Sequence, residues 1–185
     1  MSMPLANYFT ADAVRALPED GKRYETVHGE LLVTPAPGGL HQFILDRLFV
    51  EIWRYLEVRG IEEALTSPAD ISFSDDTLVQ PDFFVADLSR FRQTWKWSDI
   101  GPLHLAVEVI SPSSARADRF TKRRLYQEQR IPTYWVVDVE ARQVEVWTPD
   151  AHFPVIERER LTWRHPAVGA ARVVELSRLF RGIDA

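Results

Sequence analysis

Two carboxylates stand where the chain has little use for charge. Glu108 interrupts Leu103-His104-Leu105-Ala106-Val107-Glu108-Val109-Ile110, a run otherwise suited to a central strand. Buried and ionised there, it needs a cation, a hydrogen-bonding partner or a raised pKa. A structural ion pair with an arginine, or a strand end that reaches water, would satisfy it, but such positions also concentrate at functional sites. Asp82 follows a proline in Leu78-Val79-Gln80-Pro81-Asp82-Phe83-Phe84-Val85, at the start of another apolar segment. Pro-Asp by itself is ordinarily turn chemistry. As a pair the two say more: if their strands end side by side, the carboxylates repel unless a cation lies between them. The chain has no cysteine and no histidine pair at ligand spacing. The expected cation is therefore hard and oxygen-seeking, magnesium or manganese.

The elements that must position these residues are legible from periodicity. Thr10 reads as the N-cap of a short helix ending before Pro18. Arg23–Val27 and Glu30–Thr34 flank His28-Gly29, which predicts a hairpin with a two-residue turn. Leu40, Phe43, Ile44, Leu48, Ile52 and Leu56 recur every three or four residues and predict the longest helix, Leu40–Val58. Strands are expected at Ile61–Thr66, Ala69–Phe73 and Leu78–Ala86, then at Leu103–Ile110. Ser111-Pro112-Ser113 opens a helix running to about Arg130, with Ser111 as cap and Pro112 in the first turn. Thr133–Asp138 and Gln143–Trp147 follow as a strand pair, then a strand near Phe153–Glu159 and a short helix near Leu176–Phe180. Asp87–Gly101 carries no assignable pattern. This order predicts one α/β (α+β) domain over residues 1–185 with a central mixed sheet flanked by helices. A helical segment at 1–22, a core at 23–148 and C-terminal strands with a short helix at 149–185 make it up.

At 185 residues, 45% hydrophobic and 26% charged, the chain has the balance of an ordinary globular protein and excludes a disordered tail, a collagenous repeat or a coiled-coil rod. The N-terminus lacks a basic start followed by an apolar run, and no apolar stretch reaches membrane-spanning length. A cytoplasmic protein without a membrane partner is the expectation. The net charge of −5 argues weakly against a general nucleic-acid coat protein. Its distribution is uneven, because Ala115–Arg130 carries Arg116, Arg119, Lys122, Arg123, Arg124 and Arg130 against Asp118 and Glu128. A solvated helix face explains such a segment; so does a surface that meets phosphates.

Pro81-Asp82 followed 26 positions later by Glu108-Val109-Ile110 resembles the PD-(D/E)XK nuclease superfamily. More closely, the chain resembles the Uma-type family of bacterial restriction endonucleases over about residues 10–180. The resemblance rests on Tyr24-Glu25-Thr26-Val27-His28-Gly29-Glu30-Leu31, His41, Gln80-Pro81-Asp82, Gly101-Pro102 and Val107-Glu108-Val109-Ile110-Ser111-Pro112-Ser113. It continues through Asp118, Lys122, Tyr126 and Pro132-Thr133-Tyr134-Trp135-Val136-Val137-Asp138. The superfamily places a lysine two residues after its glutamate, on the same strand face, and here that position is Ile110. The only lysines are Lys22, Lys96 and Lys122. Lys122 lies on the helix after the Glu108 strand, and Asp118, Lys122 and Tyr126 share a face at successive i+4 positions. Spacing alone suits a solvated Lys122–Asp118 pair; the resemblance implies a catalytic lysine moved to the helix.

The resemblance implies a restriction-endonuclease-like core and metal-dependent hydrolysis of DNA phosphodiesters. Asp82, Glu108 and the Val109 carbonyl would hold the magnesium or manganese ion, and Asp82, Glu108 and Lys122 would be catalytic. Glu30, His41 and Asp118 match further family positions as accessory residues, and Arg116, Arg119, Arg123 and Arg124 would contact the DNA backbone. Two other classes of function compete. An inactive nucleic-acid-binding or scaffold domain would turn Lys122 away from the carboxylates. A hydrolase of small phosphorylated molecules would close a small pocket over them. Of the six tryptophans, Trp95, Trp97 and Trp147, with Phe91, could form an exposed surface, and a homodimer interface is one use for it.

Overall fold

Alternation and turn chemistry build the first part of the chain as its pattern predicts. In the computed structural model, which describes residues 8–61 and 63–183, Thr10 caps α1 (Ala11–Arg15) by accepting from the Ala13 amide. The hairpin β1 (Arg23–Val27) and β2 (Glu30–Thr34) has the expected bounds. Its turn residues His28 and Gly29 both take positive φ, 50° and 81°, the requirement of a tight hairpin turn. Gly29 has a second reason to be glycine, since a Cβ there would stand 2.3 Å from the Tyr8 ring. The 19-residue α2 (Gly39–Glu57) buries Ile44, Leu45, Leu48, Ile52 and Leu56, the stripe its periodicity predicts.

The segment Leu78–Ala86 departs from expectation. Rather than one strand, it forms β5 (Thr77–Val79) and β6 (Phe83–Ala86), separated by Gln80-Pro81-Asp82. Proline cannot donate to a ladder, and the two strands enter different sheets. β5 joins β1, β2 and β4 (Ile71–Ser74) in a four-stranded sheet, whereas β6 pairs with β3 (Ala64–Thr66) and β7 (Leu103–Val109) in the six-stranded one. The unassigned stretch before β7 contains a four-residue helix, α3 (Phe91–Thr94), and a short 3-10 turn at Trp97–Asp99.

After β7, Ser111 and Ser114 bond reciprocally, side chain to backbone, at 3.0 and 3.3 Å, so Ser111 caps the helix much as expected. The helix spans 115–128. It passes through a π-helical turn at Ala117–Lys122 and ends as α4 (Arg123–Glu128). It is the crossover that a parallel strand pair requires, linking β7 to β8 (Tyr134–Asp138). β9 (Gln143–Trp147) and β10 (Val155–Glu157) complete the large sheet, in the order β10-β9-β8-β7-β6-β3. The chain closes with a hairpin absent from the pattern reading, β11 (Arg160–Trp163) and β12 (Arg172–Glu175), and α5 (Leu176–Leu179). The molecule is thus a mixed α/β fold around a mixed sheet.

Both faces of that sheet are covered, which is why its central strands are apolar throughout. Phe83, Val85, Val107, Val109, Trp135 and Val137 meet α2 and the C-terminal hairpin on one face. Phe84, Ala106, Tyr134 and Val136 meet Leu125 and Tyr126 of α4, together with Val27, Ile71 and Val79 of the small sheet, on the other. Glu108 alternates with Val107 and Val109, so it points to this second face, beneath the 115–128 helix. Of the aromatic set, Phe91 and Trp147 are buried, Trp97 is half-buried and Trp95 is exposed. No helix among the described residues is long and apolar enough to cross a membrane.

Candidate functional site

Strand register brings the two carboxylates together. β6 and β7 run antiparallel with Phe83 opposite Val107, so the next residues outward, Asp82 and Glu108, flank one another where β6 begins and β7 ends. Asp82 is 2% exposed and Glu108 1%. The Val109 amide donates to Asp82 Oδ2 at 2.8 Å, locking the Asp82 side chain against the strand. Backbone bonds from Ser67 to Asp82 and the Ser67 hydroxyl to Pro81 fix the link that carries it.

Cations reach the pair from both sides. Lys122 Nζ lies 3.0 Å from Glu108 Oε1, 2.8 Å from Glu25 Oε2 and 3.5 Å from Asp118 Oδ1. Tyr126, one turn further along, donates its hydroxyl to the same Glu108 oxygen at 3.2 Å. The i+4 face of the helix therefore points inward, and Lys122 is 2% exposed rather than solvated. On the other side, Arg23 Nη1 lies 2.7 Å from Asp82 Oδ1 and His41 Nε2 2.9 Å from Asp82 Oδ2.

Glu25 and Arg23 are the residues that pattern reading misses. They alternate along β1, whose polar residues look like the wet face of a hairpin; in the fold Glu25 meets Lys122 of the 115–128 helix, and Arg23 meets Gln80 and Asp82 of the link between β5 and β6. Glu25 also accepts the Gln80 amide at 2.7 Å, tying β1 to the Asp82 link. Glu30 sits instead at the turn end of the hairpin, exposed, and does not line the cleft. Arg119 is spent on Asp138 and Glu145, at 2.6 Å each. Arg123 lies over the Trp147 ring, 5.0 Å from its centroid. Only Arg116 and Arg124 of the four arginines are exposed.

Electrostatics separates the two central acids. Burial works against ionising Asp82, but the His41 hydrogen bond and the Arg23 charge outweigh it and hold its carboxyl well below the usual range. His41 Nε2 is hydrogen-bonded to the ionised Asp82, while its buried Nδ1 has no hydrogen-bond partner. Glu108 goes the other way. Burial pushes its pKa up, Lys122 opposes this, and the neighbouring Asp82, Asp118 and Glu25 add to the rise. Tyr126 is raised by burial and by Glu108, so it remains a donor.

Four buried acids, Glu25, Asp82, Glu108 and Asp118, thus face two obligate cations, Arg23 and Lys122. That charge excess and an all-oxygen donor set fit a hard divalent cation. The cleft over these groups measures about 130 Å3, room for a few waters. It opens past Gly38, the N-cap of α2. No side chain caps that terminus and no acid occupies its first turn.

A histidine pair, unexpected from sequence spacing, also forms: Glu63, His104 and His165 bring their ligand atoms within 4.8 Å of one another. None of the three lines the carboxylate cleft. His165 Nδ1 accepts from the Ala167 amide at 3.1 Å and Nε2 lies 2.9 Å from Glu63 Oε2. With Nδ1 accepting, Nε2 donates to Glu63, and the cluster is a hydrogen-bonded clasp for the C-terminal hairpin.

Among solved structures, one from Anabaena variabilis ATCC 29413, described as "a putative nuclease belonging to DUF820", superposes with a TM-score of 0.73 over 93% of this chain and 97% of that one, at 21% identity. The likeness carries the fold. No curated protein matches the chain. A family model described as "Putative restriction endonuclease" matches residues 11–180, nearly the whole length and including every residue of the cleft, and on that match the chain belongs to the Uma2 family.

Proposed function

We propose that the protein is a metal-dependent endonuclease that hydrolyses DNA phosphodiester bonds. The observation that carries this reading is the inward-facing Lys122, 3.0 Å from Glu108, beside the Asp82–Glu108 pair. An inactive scaffold would turn Lys122 away from the carboxylates, whereas here it faces them, and the surrounding acids offset the solvation that its burial costs. Asp82, Glu108 and the Val109 carbonyl would hold magnesium or manganese, with Asp118 and Glu25 completing the negative field. Bound there, the ion supplies Lewis-acid charge neutralisation and activates water near neutral pH.

The chain's own groups supply the rest. Lys122 Nζ stands where it can orient an attacking water and offset charge that builds on the scissile phosphate. The uncapped amides at the start of α2, with the helix dipole behind them, suit a phosphate oxygen at the mouth of the cleft. His41 holds Asp82 in place through Nε2. Exposed Arg116 and Arg124 suit neighbouring phosphates, contacts that position a backbone and read no sequence.

The test is isothermal titration with magnesium and with manganese, on wild type and on Asp82→Ala, without nucleic acid, followed by a cleavage screen with Lys122→Ala as control. Binding by wild type that Asp82→Ala abolishes, together with cleavage that Lys122→Ala abolishes, is the expected result. Metal binding unchanged in Asp82→Ala, or cleavage unchanged in Lys122→Ala, overturns the assignment of these residues.

A further inference from the structure

The carboxylate cleft is too small for a nucleotide. At about 130 Å3 it holds an ion, a water and a phosphate, but a nucleoside attached to that phosphate must lie outside it. The neighbouring cavity measures about 570 Å3. Gly38, His41 and Ser111 line both spaces, so the two communicate around the start of α2 and the end of β7.

The linings differ in kind. The cleft is walled by the charged cluster, whereas apolar Ile110, Pro112, Ala115 and Val139 line the cavity alongside two acids and two arginines. Apolar walls that alternate with carboxylate acceptors and guanidinium donors suit a heteroaromatic ring that carries amino and carbonyl groups. We propose that this cavity takes the nucleobase of a nucleotide flanking the scissile phosphate. It does so by turning that base out of its stack and away from the cleft. This rests on the phosphodiesterase reading above and adds to it the placement of the base. Drawing a base out of a duplex costs stacking and pairing, so substrates with an unpaired or weakly paired base at that position are favoured.

The experiment walks a single reduced abasic site through fluorescent oligonucleotides, reading both binding by anisotropy and cleavage where it occurs. Wild type is compared with Ala115→Trp and Val139→Trp, which fill the cavity from its two walls. A base-free phosphodiester, bis(p-nitrophenyl) phosphate, reports the cleft alone. Loss of the base at one position should weaken wild-type binding by roughly tenfold, about 1.4 kcal/mol. Either tryptophan variant should weaken binding of the intact strand similarly and show no further loss on the abasic one. Both variants should match wild type on the base-free diester.

Equal binding at every abasic position, or tryptophan variants that discriminate as wild type does, overturns the cavity assignment while leaving the nuclease reading standing. No binding of any oligonucleotide by folded wild type overturns both. Two variants on separate elements guard against misfolding of either one, and thermal melts report it.

Discussion

Lys122→Met is the sharpest perturbation of the charged cluster, because methionine keeps most of the volume and removes only the charge. In the wild type, Nζ lies within 4 Å of three buried carboxylates, Glu25, Glu108 and Asp118, each 3% exposed or less. Breaking a buried ion pair by deleting one partner typically costs about 3–5 kcal/mol. Measured against a total of roughly 5–15 kcal/mol for a natural protein, that is a large share, and the melting temperature should fall by roughly 10–15 °C. The assay is guanidinium or thermal unfolding in the presence of a chelator. Its pH dependence follows from the remaining acids. Burial already raises Glu108 and Asp118, with Lys122 the opposing influence, so removing Lys122 raises them further. A carboxylate whose folded pKa exceeds its unfolded value takes up a proton on folding, and its destabilising effect disappears as pH falls. Lys122 itself, raised above the usual lysine range, contributes fully at any pH below that range. The gap between variant and wild type should therefore shrink as pH falls from about 8 to about 5. A loss below about 1 kcal/mol, or a gap constant across that window, would refute the buried-cluster account and return Lys122 to the solvent-exposed class.

The remaining expectations are checked separately. Phe83→Ala empties a fully buried site that packs edge-on against Phe49, centroids 5.7 Å apart; it should cost about 3–5 kcal/mol by denaturant unfolding, and a loss below about 1 kcal/mol would mean the core is packed differently. Arg116→Ala and Arg124→Ala should each reduce the slope of log binding constant against log salt by about one for oligonucleotides. Arg119→Ala should instead lower stability by about 1–2 kcal/mol, discounted for its partial exposure, and leave that slope unchanged; the opposite pattern would place Arg119 on the DNA. Zinc should leave the melting temperature unaltered at the Glu63–His104–His165 clasp, since coordination would have to displace the proton that His165 gives to Glu63. A zinc-dependent rise that His104→Ala removes would show the proton assignment wrong.

What the sequence made legible was whatever depends on local period. The His28-Gly29 hairpin, the stripe of α2, and the strands around Glu108 and Trp135 all follow from apolar spacing and turn residues. The meeting of Asp82 and Glu108 was legible only as a condition, that their strands end side by side, and the antiparallel register of β6 and β7 meets it. What failed was non-local. Arg23 and Glu25 look like exterior positions of an amphipathic hairpin, and it is Asp82 and Lys122, far along the chain, that claim them. His104 and His165 are 61 positions apart, and no spacing rule brings them together. Arg119 reads as part of a basic face until Asp138 and Glu145, on later strands, claim it. Arg160–Trp163 and Arg172–Glu175 are only four residues each, so the alternation of Arg160–Trp163 is too short to stand out in the sequence.

The lysine carries this logic furthest. A lysine two positions beyond Glu108 would share its strand face only if the strand continued, and β7 ends at Val109. Ile110 already lines the apolar cavity and not the cleft, because the Ser111-Pro112-Ser113 turn redirects the chain into the helix. A charge at that position would face the neighbouring space. The helix, by contrast, passes directly over Glu108, and its π-helical turn at Ala117–Lys122 aligns Asp118, Lys122 and Tyr126 with the two β-strand acids below. The cation therefore arrives with the packing of the helix rather than with the strand. That makes the charged cluster and the second core one cooperative unit: Leu125 and Tyr126 must be buried before Lys122 can meet Glu108, and Lys122 must meet Glu108 before burying the acids becomes tolerable.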